Sequence, residues 1–149
     1  MPTALTPGDG QDLLQRFKRA WERLDVDAAV ELFREDAEYR LDPFEPALMG
    51  AIAIRAYWNE VAATQVHREF DAERVWVTGP TVLASWHGAA TQRATAERVR
   101  YRGFMTLELD EAGLVSRGRM WSLARSVGRD ATHRPETPAG EALGGSDGR

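Results

Sequence analysis

Two kinds of side chain in this sequence can do chemistry or hold a ligand: a few isolated acids and histidines, and a set of large aromatics at regular spacing. Asp42 stands directly before Pro43. A carboxylate lifted by burial toward neutral pH can shuttle a proton. In solvent, the same residue before a proline caps a turn. His87 gives a second group able to accept or donate a proton, and it makes an acid–base pair with Asp42 only if both face one cavity. His87 also adjoins Trp86, and successive strand residues point to opposite faces, so only one of the two can face a cavity. His67 falls between a helix and a strand, and His133 falls near the C-terminal end. No two histidines sit at helix-face spacing and cysteine is absent. That leaves no thiolate nucleophile, no disulfide framework and no pattern for a metal centre. A Gly-rich phosphate loop and a Gly-x-Ser-x-Gly elbow are also missing, so neither a metal nor a cofactor is expected.

The aromatics mark the elements that would have to position such groups. Leu14, Phe17, Trp21 and Leu24 recur three, four and three apart, the stripe of an amphipathic helix from Gln11 onward. Thr6-Pro7 followed by Asp9 could start a helix earlier, but Gly8 and Gly10 weaken that start, and residues 1–10 are expected to be flexible. Asp25-Val26-Asp27 breaks the first helix and caps a second, read through Ala29, Val30 and Phe33 to about Asp36. Residues 37–41 alternate as a strand with Tyr39 and Leu41 on one face. A loop with Pro43 and Pro46 comes next, then a third helix after Gly50 with Ile54, Trp58 and Val61 inward and Tyr57 beside them.

From Glu69 the pattern turns to strands. Residues 69–77 alternate, a turn follows at 78–81, and 82–91 alternate again with Val82, Ala84 and Trp86 on one face. The run from Arg98 to Leu109 is the clearest strand, with Tyr101, Met105 and Leu107 opposite Arg98, Arg100 and Arg102. Those arginines read as a solvated outer face, or as a dimer surface meeting a partner's acids. A hairpin at 110–113 leads to a last strand from Leu114 to about Arg125, where a single bulge would decide the facing of Trp121. Residues 128–149 are rich in Gly, Pro, Thr and acids and are expected to form a disordered tail, leaving 11–127 as the folded domain.

The order helix, helix, strand, helix and four strands specifies an α+β fold: a curved antiparallel sheet covered by three N-terminal helices. With 149 residues the chain suits one domain. Its net charge of −4, spread among interspersed arginines and acids, supplies no basic groove for nucleic acid. No apolar run reaches the length of a membrane span, and residues 1–10 lack the regions of a signal peptide, so no membrane partner and a cytoplasmic location are expected.

The residues Tyr39-Arg40-Leu41-Asp42-Pro43, then Gly50, then Ala53-Ile54-Arg55-Ala56-Tyr57-Trp58 resemble the nuclear transport factor 2-like superfamily in its SnoaL-like branch. More distantly they resemble ketosteroid isomerases. The resemblance runs from about Gln11 to Val127. It implies a cone-shaped cavity for a small apolar organic molecule, and a homodimer packed through the sheet. In such a cone Phe17, Trp21, Tyr39 and Trp58 are the candidate binding residues from the first half of the chain. Trp86, Tyr101, Met105 and Met120 are those from the sheet.

In the isomerases an Asp-Pro after the first strand supplies the general base, which implies that role for Asp42. On this reading Asp42→Asn folds normally but loses turnover. The oxyanion donors of those enzymes, a tyrosine and a protonated aspartate, fall on Phe17 and Met105, neither of which can donate. Losing each donor removes about 3–4 kcal/mol of transition-state stabilisation, which argues against steroid isomerisation. Limonene epoxide hydrolases carry an Asp–Arg–Asp set across adjacent strands. Arg100 and Arg102 could supply the arginine, but no aspartate stands near them on their strand. Two functions are expected on these grounds: cofactor-free acid–base chemistry of the isomerase, cyclase or hydrolase type, or a non-catalytic module that binds a ligand or another protein.

Overall fold

A computed structural model describes residues 4–136. Helix α1 spans Pro7–Arg23 and starts four residues before the stripe that announces it. The cause is a capping box. Asp9 N–H donates to Thr6 Oγ1 at 3.1 Å and Thr6 N–H donates to Asp9 Oδ2 at 2.8 Å, with Pro7 in the first turn. Gly10 is a close-packing residue rather than a helix breaker, because a Cβ there would lie 2.8 Å from Val77 Cγ2.

Helix α2, Val26–Glu31, is capped by Asp25, whose Oδ1 accepts from Ala28 N–H at 3.0 Å. It ends before Phe33, five residues short of the sequence expectation. Val115 N–H donates to Leu32 C=O at 2.8 Å, and Phe33 opens strand β1, Phe33–Arg40, opposite Val115. That long-range pairing overrides the local helical pattern. A two-residue strand β2, Leu48–Met49, precedes helix α3, Gly50–Thr64. The remaining strands are β3 (Gln65–Thr78), β4 (Thr81–Gln92), β5 (Glu97–Leu109) and β6 (Val115–Arg129).

The six strands form one curved sheet in the order β2-β1-β6-β5-β4-β3. Strands β3 to β6 make an antiparallel meander, β1 runs parallel to β6, and β2 is antiparallel to β1. The fold is therefore the α+β cone expected from the sequence. Its core joins Leu13, Phe17 and Trp21 of α1 and Ile54 and Trp58 of α3 to the inward residues of the sheet. Lys18 fastens α1 to β3, donating to Phe70 C=O at 2.8 Å and pairing with Asp71 at 2.9 Å.

Strand β3 contains two register shifts against β4, one between Val66 and Glu69 and one between Ala72 and Arg74. Each inserts one extra residue, which inverts the facing of the residues after it. At the first, His67 takes a left-handed backbone (φ 52°), an unusual state for a residue with a side chain. Gln65 before the bulge and Arg68 and Phe70 after it therefore all face inward.

Residues 130–136 do not behave as the expected disordered tail. Asp130 N–H donates to Ala96 C=O at 2.7 Å, and Glu136 N–H donates to Arg93 C=O at 2.8 Å. The Asp130 carboxylate accepts from Thr91 Oγ1 at 2.6 Å and from Thr132 N–H at 2.9 Å, and it meets His67 Nδ1 at 2.9 Å. These bonds, led by that from His67, hold its carboxyl well below the usual carboxylate range. The segment thus ties the β3 bulge to the end of β4. The rest of the expected tail, residues 137–149, lies outside the described residues, as do 1–3 of the expected flexible N-terminus.

A carboxylate held low in the fold stabilises it fully above its unfolded value of about 4, and the benefit declines progressively as pH falls from there toward the folded value. Asp130→Asn is therefore expected to unfold at lower urea than wild type at pH 7, with the gap narrowing at pH 3. Paired urea melts at the two values measure this, and a gap independent of pH would contradict it.

Candidate functional site

The inner surface of the cone is mostly filled. Phe17, Tyr39, Trp58 and Met105, all candidate ligand contacts in the sequence, are fully buried members of the core. Phe17 packs on Trp21, Trp58 and Phe70 at ring separations of 5.8, 6.2 and 5.1 Å. Tyr39 donates its hydroxyl to Met120 Sδ at 3.4 Å. Above this packed layer lies a chamber of about 130 Å³ lined by Trp21, Leu41, Tyr57, Gln65, Arg68, Trp86, Tyr101, Met120 and Ser122. Four of the sequence candidates, Trp21, Trp86, Tyr101 and Met120, therefore meet at one cavity. Tyr57, Gln65 and Arg68 complete it.

Arg68 dominates the chamber. It is only 5% exposed, yet it forms no ion pair within 4 Å among the described residues, and its Nε and Nη1 find no hydrogen-bond acceptor there. Its Cζ lies 3.7 Å from the centre of the Trp21 ring and 5.5 Å from that of Trp58. A guanidinium over an indole face is stabilised by the ring's negative quadrupole, by about 2 kcal/mol when water is excluded. That contact offsets part of the cost of burying the charge, but it supplies no counter-ion and no acceptor for the N–H groups. Burial pulls the Arg68 pKa down to about 10, so the group is a cation at neutral pH. The same burial raises the phenols of Tyr39, Tyr57 and Tyr101, which stay protonated. Among the described residues, no carboxylate and no imidazole lines the chamber.

Asp42, the sequence candidate for proton transfer, is exposed and outside this lining. Its Oδ1 accepts from Phe44 N–H at 2.8 Å, an Asx turn at the start of the β1–β2 loop. Asp42 lies two residues past the end of β1, beyond Leu41 at the chamber, and the turn holds its carboxylate at the surface. Trp86 is buried while His87 is on the outer face, 3.5 Å from Glu73 and 3.8 Å from Asp71. Asp42 and His87 thus form no pair around the chamber.

The outer face of the sheet carries the arginine row. Arg98 pairs with Glu69 at 2.9 Å and Arg102 with Glu73 at 3.2 Å, acids of the same chain. Trp121 also lies outward, half-buried, opposite Phe104 in the β5–β6 register. Arg68 itself is not legible as a site residue because a strand read from Glu69 leaves it outside. The available signal is its spacing of two from Phe70, which places the two side chains on one face.

A family model for the SnoaL-like domain matches residues 14–118. No curated protein matches the sequence. Among solved structures, SalBIII is an epoxide hydrolase/cyclase-like enzyme with a role in pyran ring formation in the polyether salinomycin. It superposes with a TM-score of 0.69 at 19% identity, over 76% of this chain and 90% of that one. An epoxide hydrolase of the LEH-like kind from M. tuberculosis gives 0.66 at 17% identity, over 78% and 84%. A Bacillus subtilis protein provisionally called an isomerase gives 0.70 at 20% identity, over 80% and 90%. At these identities the likeness concerns the fold. The chain belongs to the SnoaL-like family, on the nuclear transport factor 2-like fold.

Proposed function

We propose that this chain binds a small organic molecule in the chamber between Trp21, Trp86, Tyr57 and Tyr101. The observation that carries the reading is a cavity of about 130 Å³ walled by aromatics and holding a buried cation that is unpaired among the described residues. Ligand sites are mostly apolar with a few placed polar groups. The volume is close to that of an engineered cavity of about 150 Å³ that accepts benzene, so a single ring is the matching scale. Solved relatives described as a cyclase-like enzyme, an epoxide hydrolase and an isomerase support a small-molecule role for the cone.

Of the two functions expected from the sequence, ligand binding is favoured over proton transfer, because the chamber's groups at neutral pH include donors but no carboxylate or imidazole base. Thermal melting and tryptophan fluorescence with single-ring compounds test this. A ligand at one hundred times its Kd stabilises by about 2.7 kcal/mol, and Trp21 and Trp86 report its entry. Asp42→Asn is expected to bind such a ligand as wild type does, since Asn also caps the turn. If no single-ring compound shifts melting or fluorescence, the chamber is only a packing defect.

A second observation favours self-association. On the outer face of the sheet Trp76 and Phe104 stack at 5.9 Å while 40% and 41% exposed, and Leu123 is 84% exposed. We propose this apolar face as the surface of a homodimer packed through the sheet. Phe104→Glu is expected to convert a dimer to a monomer by light scattering; a wild-type monomer at high concentration would contradict the proposal.

A further inference from the structure

We propose that the chamber's ligand is a single-ring carboxylate whose carboxylate group is held by Arg68. The proposal rests on the chamber being a ligand site and goes on to specify the chemistry of the ligand's polar end. Six buried side-chain polar atoms lack a hydrogen-bond partner among the described residues. One, His87 Nδ1, lies on the outer face of the sheet. The other five are Arg68 Nε and Nη1 and the indole nitrogens of Trp21, Trp58 and Trp86. All five are donors, and three of their four residues, Trp21, Arg68 and Trp86, line the chamber.

Native interiors leave few such groups unpaired, because each costs free energy. A set made only of N–H groups around a cation is completed by an acceptor that carries negative charge. A neutral alcohol or amide supplies acceptors but leaves the charge unpaired, and a cationic ligand adds repulsion. The guanidinium is planar and presents its donors as a fork, the geometry that a carboxylate matches with two oxygens.

The surroundings are arranged for the same end. Trp21 lies against the guanidinium, which leaves the edge of the fork for the ligand. Among the described residues, no carboxylate lines the chamber to compete for Arg68 or to repel an incoming anion. The register shift at His67, where the backbone is left-handed and the side chain is tied to Asp130, sets the facing of Arg68. The cavity volume limits the body of the ligand to about one ring.

Calorimetric titration with benzoate and with its neutral isostere benzamide tests the assignment on the full chain. Benzoate is expected to bind roughly tenfold or more tighter than benzamide, the scale of hydrogen bonds to a charged group. Arg68→Met is expected to abolish that preference, with benzoate losing far more affinity than benzamide. Arg68→Lys retains charge but not the fork, and serves if the Met variant does not fold; it is expected to retain only part of the preference. Equal affinity for the two compounds in wild type overturns the anion assignment and leaves the chamber reading standing. A benzoate preference undiminished in both variants does the same. Failure of both compounds to bind overturns both.

Discussion

Arg68→Met is expected to raise the stability of the ligand-free protein. The guanidinium is buried against two indoles without a counter-ion among the described residues, and the cost shows in its pKa, drawn down to about 10 chiefly by loss of water. At 1.36 kcal/mol per pH unit, that corresponds to roughly 3 kcal/mol of penalty at neutral pH. The cation–π contact with Trp21 offsets about 2 kcal/mol of it. Methionine has a comparable reach, fills irregular space and packs well on aromatic rings. The net expectation is a gain of about 1 kcal/mol, or roughly 3 °C in Tm for a domain of this size.

The sign has a pH signature. A base whose folded value is depressed binds its proton less readily in the folded state, so the penalty is complete below about 10 and is relieved as pH rises through it. The advantage of the Met variant should therefore shrink between pH 8 and pH 11. Urea melts of both proteins across that range measure it. A variant several kcal/mol less stable than wild type would make Arg68 a structural residue and remove the reason for a ligand there. A group that weakens the fold and is retained is what a binding site exchanges for function.

The opposite sign is expected at Gly103. A Cβ there would overlap the Trp121 carbonyl oxygen and lie 2.9 Å from Trp86 Nε1 and Cε2. The first of these is backbone of the neighbouring strand, which cannot give way without parting β5 from β6. The second is the indole that walls the chamber. Gly103→Ala is expected to cost about 3 kcal/mol, at the upper end of overpacking, and to weaken single-ring ligands by pushing Trp86 into the cavity. Gly118 provides a control, since its Cβ would meet Tyr39 Cδ1 at 3.0 Å and Leu107 Cδ2 at 3.2 Å, both side-chain atoms. Gly118→Ala should cost about 1 kcal/mol and leave the chamber intact. Equal melting temperatures for wild type and Gly103→Ala would mean that the β5–β6 pair is more yielding than its register suggests.

How much of this is legible in the sequence depends on whether the cause is local. The stripe of Leu14, Phe17, Trp21 and Leu24 and the alternation through Val82, Ala84 and Trp86 predict buried residues, and all are buried but Leu24, which caps α1 with a left-handed backbone and is half-buried. Periodicity of that kind reports which face meets the core. The end of α2 is not legible, because Phe33 is drawn into β1 by Val115, far away in sequence. Composition misleads at residues 130–136 because it counts apolar burial, whereas this segment is held by polar bonds to Thr91, Arg93 and Ala96.

The site shows the same division. The spacing of Trp21 and Trp86 already turns them into the cone, whereas the facing of Asp42 is set by an Asx turn with Phe44 beyond the end of β1, where alternation no longer applies. Arg68 requires the bulge at His67, and a charged residue at the start of a strand ordinarily reads as surface. Its importance comes from the absence of an acid beside it, which only the three-dimensional arrangement reveals.

The most direct measurement is a crystal structure of the protein grown with benzoate. The expected result is a ring between Trp21 and Trp86 with both carboxylate oxygens within about 3 Å of Arg68 Nε and Nη nitrogens, the normal range for charge-assisted bonds. An empty chamber with Arg68 swung out to a surface carboxylate would contradict it.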